Sequence, residues 1–456
     1  MNRTFFFLLL LAAFATSLAA QDFGFGFGDD DAAIGVAGGN SGVAISGEVS
    51  ASFLGYVDDF SKLDETELGD IFSGKLNFSA GNSFGEAVIN LNLSLPAADG
   101  AFDSPVAFDE AYLRAYLGVF EIEGGLRKLT WGKADSFGPL DVINPLDYRE
   151  ITDASDALNM KIARPLVHAT ARFGQFSKLE AVFVPTFEPH RFASDGRWIP
   201  AQMAALQTQI AAAAALALAQ NPPLSPPAVV QPNTSTLNYA QAGLRFTTTF
   251  GSSDIGAQYY YGRLPTPAVK LSFNPTQPPA LSAVEFLYNP YHHIGVDYAQ
   301  VLFGFNIRAE FAANITSDLG GDDGEVYNPS LAWSLGFDRD LVWGINLNIQ
   351  GNETVRLLHG NIHDNPMLDI EAGVDMTSTR ITAILSKKFL RDELEARFVA
   401  LWEVEAKDFF IMPGIIWTRD AVQVEVSGGI FGGDEKGQFG QYYKNNFVKV
   451  GLTYSF

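Results

Sequence analysis

The chain has 456 residues, with 52 acids against 30 bases for a net charge of −22, and no cysteine. The acidic balance argues against nucleic-acid binding, which needs the opposite sign, and without thiols there are no disulfides, lipid-anchored Cys or thiolate metal sites. A mean hydropathy of +0.07 with 43 Gly, 37 Phe and 15 Tyr suits aromatic strands joined by glycine turns rather than a bundle of membrane helices.

Residues 1–20 read as a signal peptide: Arg3 gives the positive start, residues 5–15 the apolar core, and Ser17 and Ala19 a small-residue cleavage site. Residues 21–42 are expected to be a flexible periplasmic lead-in. Their Phe23-Gly24-Phe25-Gly26-Phe27-Gly28 repeat has no strand before it and no Lys after it, so it is not read as a phosphate loop.

From residue 43 to 456 the dominant signal is alternation of apolar and polar residues. Ile89, Leu91, Leu93 and Leu95 alternate with Asn90, Asn92 and Ser94; Phe303, Phe305, Ile307, Ala309 and Phe311 with Gly304, Asn306, Arg308 and Glu310; Trp343, Ile345, Leu347 and Ile349 with Gly344, Asn346 and Asn348. These runs reach the ~10 residues that a tilted strand needs to cross a bilayer, beyond the roughly 5–6 of soluble strands. A closed barrel is the one strand-built way to span lipid with every backbone group paired. Tight turns near Asn82, Gln175, Ser252, Arg339 and Arg419 alternate with longer polar loops at 58–69, 96–106, 132–160, 189–236, 264–282, 317–328, 354–367 and 432–444. The prediction is an all-β protein: a single transmembrane antiparallel β-barrel of about 18 strands, with both termini periplasmic and the long loops extracellular. Sixteen is the other count, because Glu405-Ala406-Lys407-Asp408 is a weak break.

The loop 132–160 holds the densest cluster of unusual residues: Trp131, Lys133, Asp135, Asp141, Asn144, Asp147, Tyr148, Arg149 and Glu150. The Asn144-Pro145 step favours a turn, across which Asp147 and Arg149 can pair. Two readings stay open and are compatible: a loop folded into the lumen that narrows the pore, or a self-bonded cap on the extracellular rim. In the 189–236 insertion, residues 201–220 are Ala-rich, follow Pro200 and precede a proline run. Their high helix propensity predicts a short helix in an external loop, lying over or dipping into the mouth, since a helix cannot join a barrel wall; a disordered insertion is the other reading.

Alternation sends Arg114, Arg127, Arg245, Arg308, Glu310, Glu395 and Arg397 to the lumen face, because Arg or Lys on the lipid face costs roughly 2–4 kcal/mol at midplane. Six His are present, none with a Ser or Asp partner at a telling spacing, so no nucleophile–base pair is legible, and no enzyme, cofactor or metal site is expected. The chain closes on Val448, Val450, Leu452, Tyr454 and Phe456 at every second position. That terminal strand is similar to the signal read by the barrel-assembly machinery, and is expected to pair with the strand beginning near Val43.

The stretch Gly125-Leu126-Arg127, Trp131-Gly132-Lys133-Ala134-Asp135, Asp141-Val142-Ile143-Asn144-Pro145 and Asp147-Tyr148-Arg149-Glu150 resembles the hallmark of a porin-like family catalogued as a domain of unknown function, number thirteen hundred and two. The run Met412-Pro413-Gly414, Phe431-Gly432-Gly433-Asp434-Glu435 and Phe439-Gly440 is similar too. The resemblance implies an outer-membrane barrel suspected of handling hydrophobic molecules; the Ala- and Pro-rich insertion departs from it.

The expected function is a porin-like outer-membrane channel for passive passage of small solutes, its acidic mouth repelling anions and concentrating cations. An uptake barrel for hydrophobic small molecules and a surface adhesin or structural barrel with little conductance are the alternatives. Its expected partners are outer-membrane lipids, the assembly machinery and a small-molecule solute whose identity the sequence does not specify. It does not fix the oligomeric state.

Overall fold

A computed structural model describes residues 43–57, 72–95, 106–152, 157–220, 224–274 and 280–456. The expected signal peptide, the 21–42 lead-in and most of the loops at 58–69 and 96–106 lie outside those residues.

The strands close into one 18-stranded sheet. In chain order they are β1 Ala44–Tyr56, β2 Phe72–Asn82, β3 Gly85–Leu95, β4 Val106–Leu117, β5 Phe120–Arg127, β6 Arg164–Phe173, β7 Ser177–Val184, β8 Gln241–Phe250 and β9 Ser253–Arg263. There follow β10 Pro290–Leu302, β11 Phe305–Thr316, β12 Ser330–Asp340, β13 Ile345–Arg356, β14 Thr377–Phe389, β15 Leu394–Glu403, β16 Asp408–Arg419, β17 Val422–Gly433 and β18 Phe447–Ser455. Each strand pairs antiparallel with its chain neighbour, as Phe246 with Ala257 on β8 and β9. Closure is β1 on β18, with Glu48 opposite Ser455 and Tyr56 opposite Phe447. Phe456 extends this ladder, its N–H donating to Gly47 O and its O accepting from Gly47 N, both at 2.9 Å. No edge of the barrel sheet is left open, which is what a sheet in lipid requires.

The weak break is a tight turn: Glu403 faces Asp408 at the end of the β15–β16 ladder, and Lys407 takes φ 54°. That turn makes the count 18 rather than 16. One turn hides inside a stretch that reads as strand, and another falls a few residues after the turn expected near Arg339, which the structure keeps in β12. Phe303 and Gly304 have φ 54° and 79°, and Trp343 and Gly344 have φ 64° and 68°. A two-residue hairpin that matches strand twist needs φ > 0 at both central positions, so each aromatic–glycine pair turns the chain where alternation alone would continue it. Both aromatics stand out at the short-turn end, 93% and 81% exposed.

Outside, the alternate positions are apolar and half-exposed, as Leu244 and Phe246 on β8, Ile294 and Val296 on β10, and Val448, Val450, Leu452 and Tyr454 on β18. An apolar belt of this extent belongs in lipid rather than water. The opposite faces point into the barrel. Beyond the wall, Ala268–Asn274 and Ala280–Leu287 form a hairpin, joined in parallel by Ala228–Val230; this small sheet occupies what reads in sequence as plain loop.

Candidate functional site

Alternation along β3 to β7 places one set of charges on the inner wall. The Arg114 guanidinium meets Glu86 at 3.3 Å, Glu121 at 3.0 Å and Glu123 at 2.6 Å. Arg127 meets Glu110 at 2.9 Å and lies 4.4 Å over the Tyr112 ring. His168 bridges Glu123 and Glu180 at 2.8 and 3.3 Å. On the other side Arg245 pairs with Asp297 at 2.7 Å and donates to Gln258 Oε1 at 2.6 Å. Arg308 meets Asp338 at 2.5 Å. Glu395 and Arg397 share the inward face of β15 with the buried Val399 and Leu401.

The chain leaving β5 does not stay at the rim. It crosses the interior and fastens to β8–β13. Trp131 is 2% exposed and packs edge-on to Tyr260, ring centroids 6.4 Å apart. The backbone from 132 to 140 then wraps one wall carboxylate. Glu310 Oε1 accepts from the amides of Lys133 and, at 2.7 Å, Ala134, while Oε2 accepts from Leu140 N at 3.2 Å. A Cβ on Gly132 or Gly138 would overlap those carboxylate oxygens, so the wrap requires glycine at both positions. Next to it Gln350 accepts from Asp135 N and Ser136 N, at 2.8 and 3.3 Å, and donates to Ser136 O at 2.5 Å. The Asp135 carboxylate takes Arg308 and, at 2.8 Å, Asn348. Leu140, fully buried, fills the space left by the missing side chain of Gly295, and its carbonyl accepts from Gln258 at 2.8 Å.

The return leg is bonded to its own base. Asn144 accepts from Leu129 N at 2.8 Å and donates to the Arg127 and Ile162 carbonyls at 3.1 and 2.9 Å. Asp141 pairs with the buried Lys161 at 2.7 Å. Asp147–Tyr148 forms a short parallel ladder with Arg191–Phe192, and Tyr148 stacks on Phe192 at 5.4 Å. Asp147 and Arg149 pair at 2.6 Å, and Glu150 accepts from Thr152 at 2.9 Å, both toward solvent. The loop lies inside the barrel and is bonded to its own base, and it is not a cap confined to the rim. Burial lowers His190 to a pKa of about 4, so the ring is neutral at pH 7, and its Nδ1 accepts from Leu146 N at 2.8 Å.

The 189–236 segment is not wholly external. Its first part crosses to β1, β17 and the loop before β18, where Trp198 donates to Tyr56 Oη at 3.0 Å and packs against Phe431 and Tyr442 with centroids 5.5 and 5.2 Å apart. Inward-facing Leu54, Val399, Leu401, Phe410 and Phe447 complete an apolar cluster there, against which Ile151 and Met160 of the crossing loop also pack. The helix α1, Ala201–Leu218, emerges only after Pro200 and buries no residue. The loop enters the lumen and the helix does not.

Every residue singled out around 131–150 lies on the crossing loop. The anchors Gln258, Gln350, Asn348 and Gly295, and the Trp198 contact, gave no sign in sequence, because an inward polar or small residue on one barrel strand resembles those on the other strands.

A closed antiparallel barrel with an apolar belt, short turns at one end and long loops at the other defines the class: a transmembrane β-barrel of the outer-membrane type. No family model matches the chain, and no curated protein matches it. Among solved structures, Salmonella typhi OmpF in complex with daunomycin aligns over 91% of this chain and 97% of its own at 9% identity, with a TM-score of 0.42. A mutant of Rh. blastica porin aligns over 91% and 100% at 11% identity, with a TM-score of 0.40.

Proposed function

We propose that the protein is a constricted, porin-like channel that passes small solutes across the bacterial outer membrane. The observation that carries this is the segment from Trp131 to Leu140, fixed across the lumen by Glu310 and Gln350. A loop that merely covered the rim would not need a wall carboxylate enclosed by three of its amides. The mixed charges on the wall suit a wet path, and the acid excess favours cations at the mouth. On this reading residues 1–20 direct export, the strand ending at Phe456 is the assembly signal, and the family resemblance around 125–150 describes the crossing loop.

Planar-bilayer recording of the purified protein tests the proposal. Small, steady steps, smaller than an unobstructed barrel of this size would give, are expected. A silent membrane with correctly folded protein would overturn it. An uptake barrel for hydrophobic molecules is the second reading; the inward apolar cluster of Leu54, Val399, Leu401, Phe410 and Phe431 is filled by Trp198, Ile151 and Met160 of the chain itself and does not by itself support it. Silence accompanied by a co-purified lipid-like ligand would select that reading.

A further inference from the structure

Between the return leg of the crossing loop and the outer ends of β6 and β9 lies a cavity of about 250 Å³. Val142, Ile143, Phe187 and Tyr291 give it apolar walls, and Arg164 and Arg263 are among its lining residues. An apolar cavity of ~150 Å³ holds a benzene ring, so this one has room for a ring and a small polar group.

The charges around it do not cancel. Asp141 is met by Lys161 at 2.7 Å, Glu188 by Arg191 at 2.5 Å and Arg380 by Glu403, which leaves the two arginines. Arg164 is 2% exposed. Its terminal nitrogens donate to the Glu188 and Thr186 carbonyls at 3.1 and 2.5 Å, and its Nε has no partner. Arg263 donates to the Tyr288 and Asn238 carbonyls at 2.8 and 2.9 Å and lies 4.3 Å over the Tyr239 ring. Neither has an ion-pair partner among the described residues. Carbonyl oxygens stabilise a guanidinium without neutralising it, and arginine cannot shed its proton to escape burial. Neutral His190 adds no positive charge here, and since its Nδ1 accepts from Leu146, its ring proton sits on Nε2, a further donor on the lining.

We infer that this cavity is a binding site for small carboxylates with an apolar or aromatic body, held by Arg164 and Arg263 while the body packs on Val142, Ile143 and Phe187. The inference rests on the channel reading for its purpose, as a station on the solute path where two arginines without ion-pair partners locally offset the acidic mouth, but not for its chemistry. Two guanidiniums supply the planar donor forks that a carboxylate matches, and the apolar walls separate such acids from inorganic anions.

Calorimetric titration of the full-length protein in detergent with benzoate, benzamide and inorganic phosphate tests it. Saturable benzoate binding is expected, with benzamide and phosphate each at least ten-fold weaker. Losing one charge-assisted contact should weaken benzoate about ten- to a hundred-fold, in Arg164→Gln and in Arg263→Gln alike. Arg263 is partly exposed, so its variant decides the matter if Arg164→Gln does not fold. Equal binding of benzoate and benzamide, phosphate binding as tight as benzoate, or native benzoate affinity in Arg263→Gln would each overturn the inference. Bilayer conductance of the same preparation separates the two ideas. Binding without conductance removes the channel and keeps the site, and conductance without binding removes the site and keeps the channel.

Discussion

Replacing Glu310 by Ala should release the crossing loop while leaving the barrel standing. The carboxylate takes the amides of Lys133, Ala134 and Leu140, and hydrogen bonds to a charged acceptor contribute roughly 1.5–3 kcal/mol each. Three such bonds on one carboxylate are coupled rather than additive, and water reaching the lumen would satisfy part of what is lost. A net loss of about 3–5 kcal/mol in docking is therefore expected, a rise of about two to four powers of ten in the undocked population. The Gln350 bonds and the buried Leu140 remain, so the loop should flicker rather than leave. Single-channel recording should show larger or noisier steps than the unaltered protein, and hydrogen exchange should speed up at those three amides. Glu310→Gln keeps one oxygen acceptor and should have a smaller effect in the same direction. Steps and exchange rates unchanged in Glu310→Ala, with the β-sheet intact, would refute the reasoning.

Arg245→Gln strands the carboxylate of Asp297, which is fully buried and otherwise paired at 2.7 Å; breaking such a pair costs about 3–5 kcal/mol, read as a lower unfolding midpoint in detergent, and an unchanged midpoint would count against it. His190 is neutral in both states above pH 6.5, its ordinary value, but folded it resists protonation down to about pH 4. As pH falls through that window the unfolded segment takes a proton that the folded one refuses, so the loop loses stability progressively, by about 3 kcal/mol once below both values. The protection factor of the Leu146 amide, taken against its intrinsic rate at each pH, should fall between pH 7 and 5, and His190→Gln, which keeps a carbonyl acceptor, should flatten the response; a native-like pH profile in that variant would sink the assignment. Excising 201–218 removes a helix with no buried residue, so the unfolding midpoint and channel steps should stay within error of the parent; a collapse of either would mean the helix holds the mouth together.

The strands, most of the turns and the loop asymmetry were legible because lipid outside and polar lumen inside impose strict alternation on each strand. The closing strand was legible for the same reason, and its pairing with β1 needed only that no edge be left free. Alternation misleads where an aromatic sits in a turn. Phe303 and Trp343 continue the apolar rhythm in sequence while their positive φ ends the strand. The crossing loop declared itself through its acids and the Asn144-Pro145 step, but its fastening did not, since Lys133 and Glu310 are 177 residues apart and nothing local ties them. The inward path of residues 191–198 was not legible because it depends on Trp198 finding Tyr56 and Phe431, a contact of tertiary packing.

The two crossing segments work against each other's removal. One runs from β5 to β11–β13 and the other from β7 to β17, β18 and β1, so each spans the ring and fastens far from where it starts. They meet at the Asp147–Tyr148 and Arg191–Phe192 ladder, stiffened by the Tyr148–Phe192 stack and the Leu146–His190 bond. Swinging either one out of the lumen must break its far anchor and this junction together, which makes wide opening far less frequent than fraying of a single anchor. On the channel reading, passage through the resting barrel is governed by the fixed gaps beside the brace and by the charges that line them. On that account the wall residues that hold the brace, Glu310 and Gln350 above all, set the aperture more than any side chain that a passing solute touches.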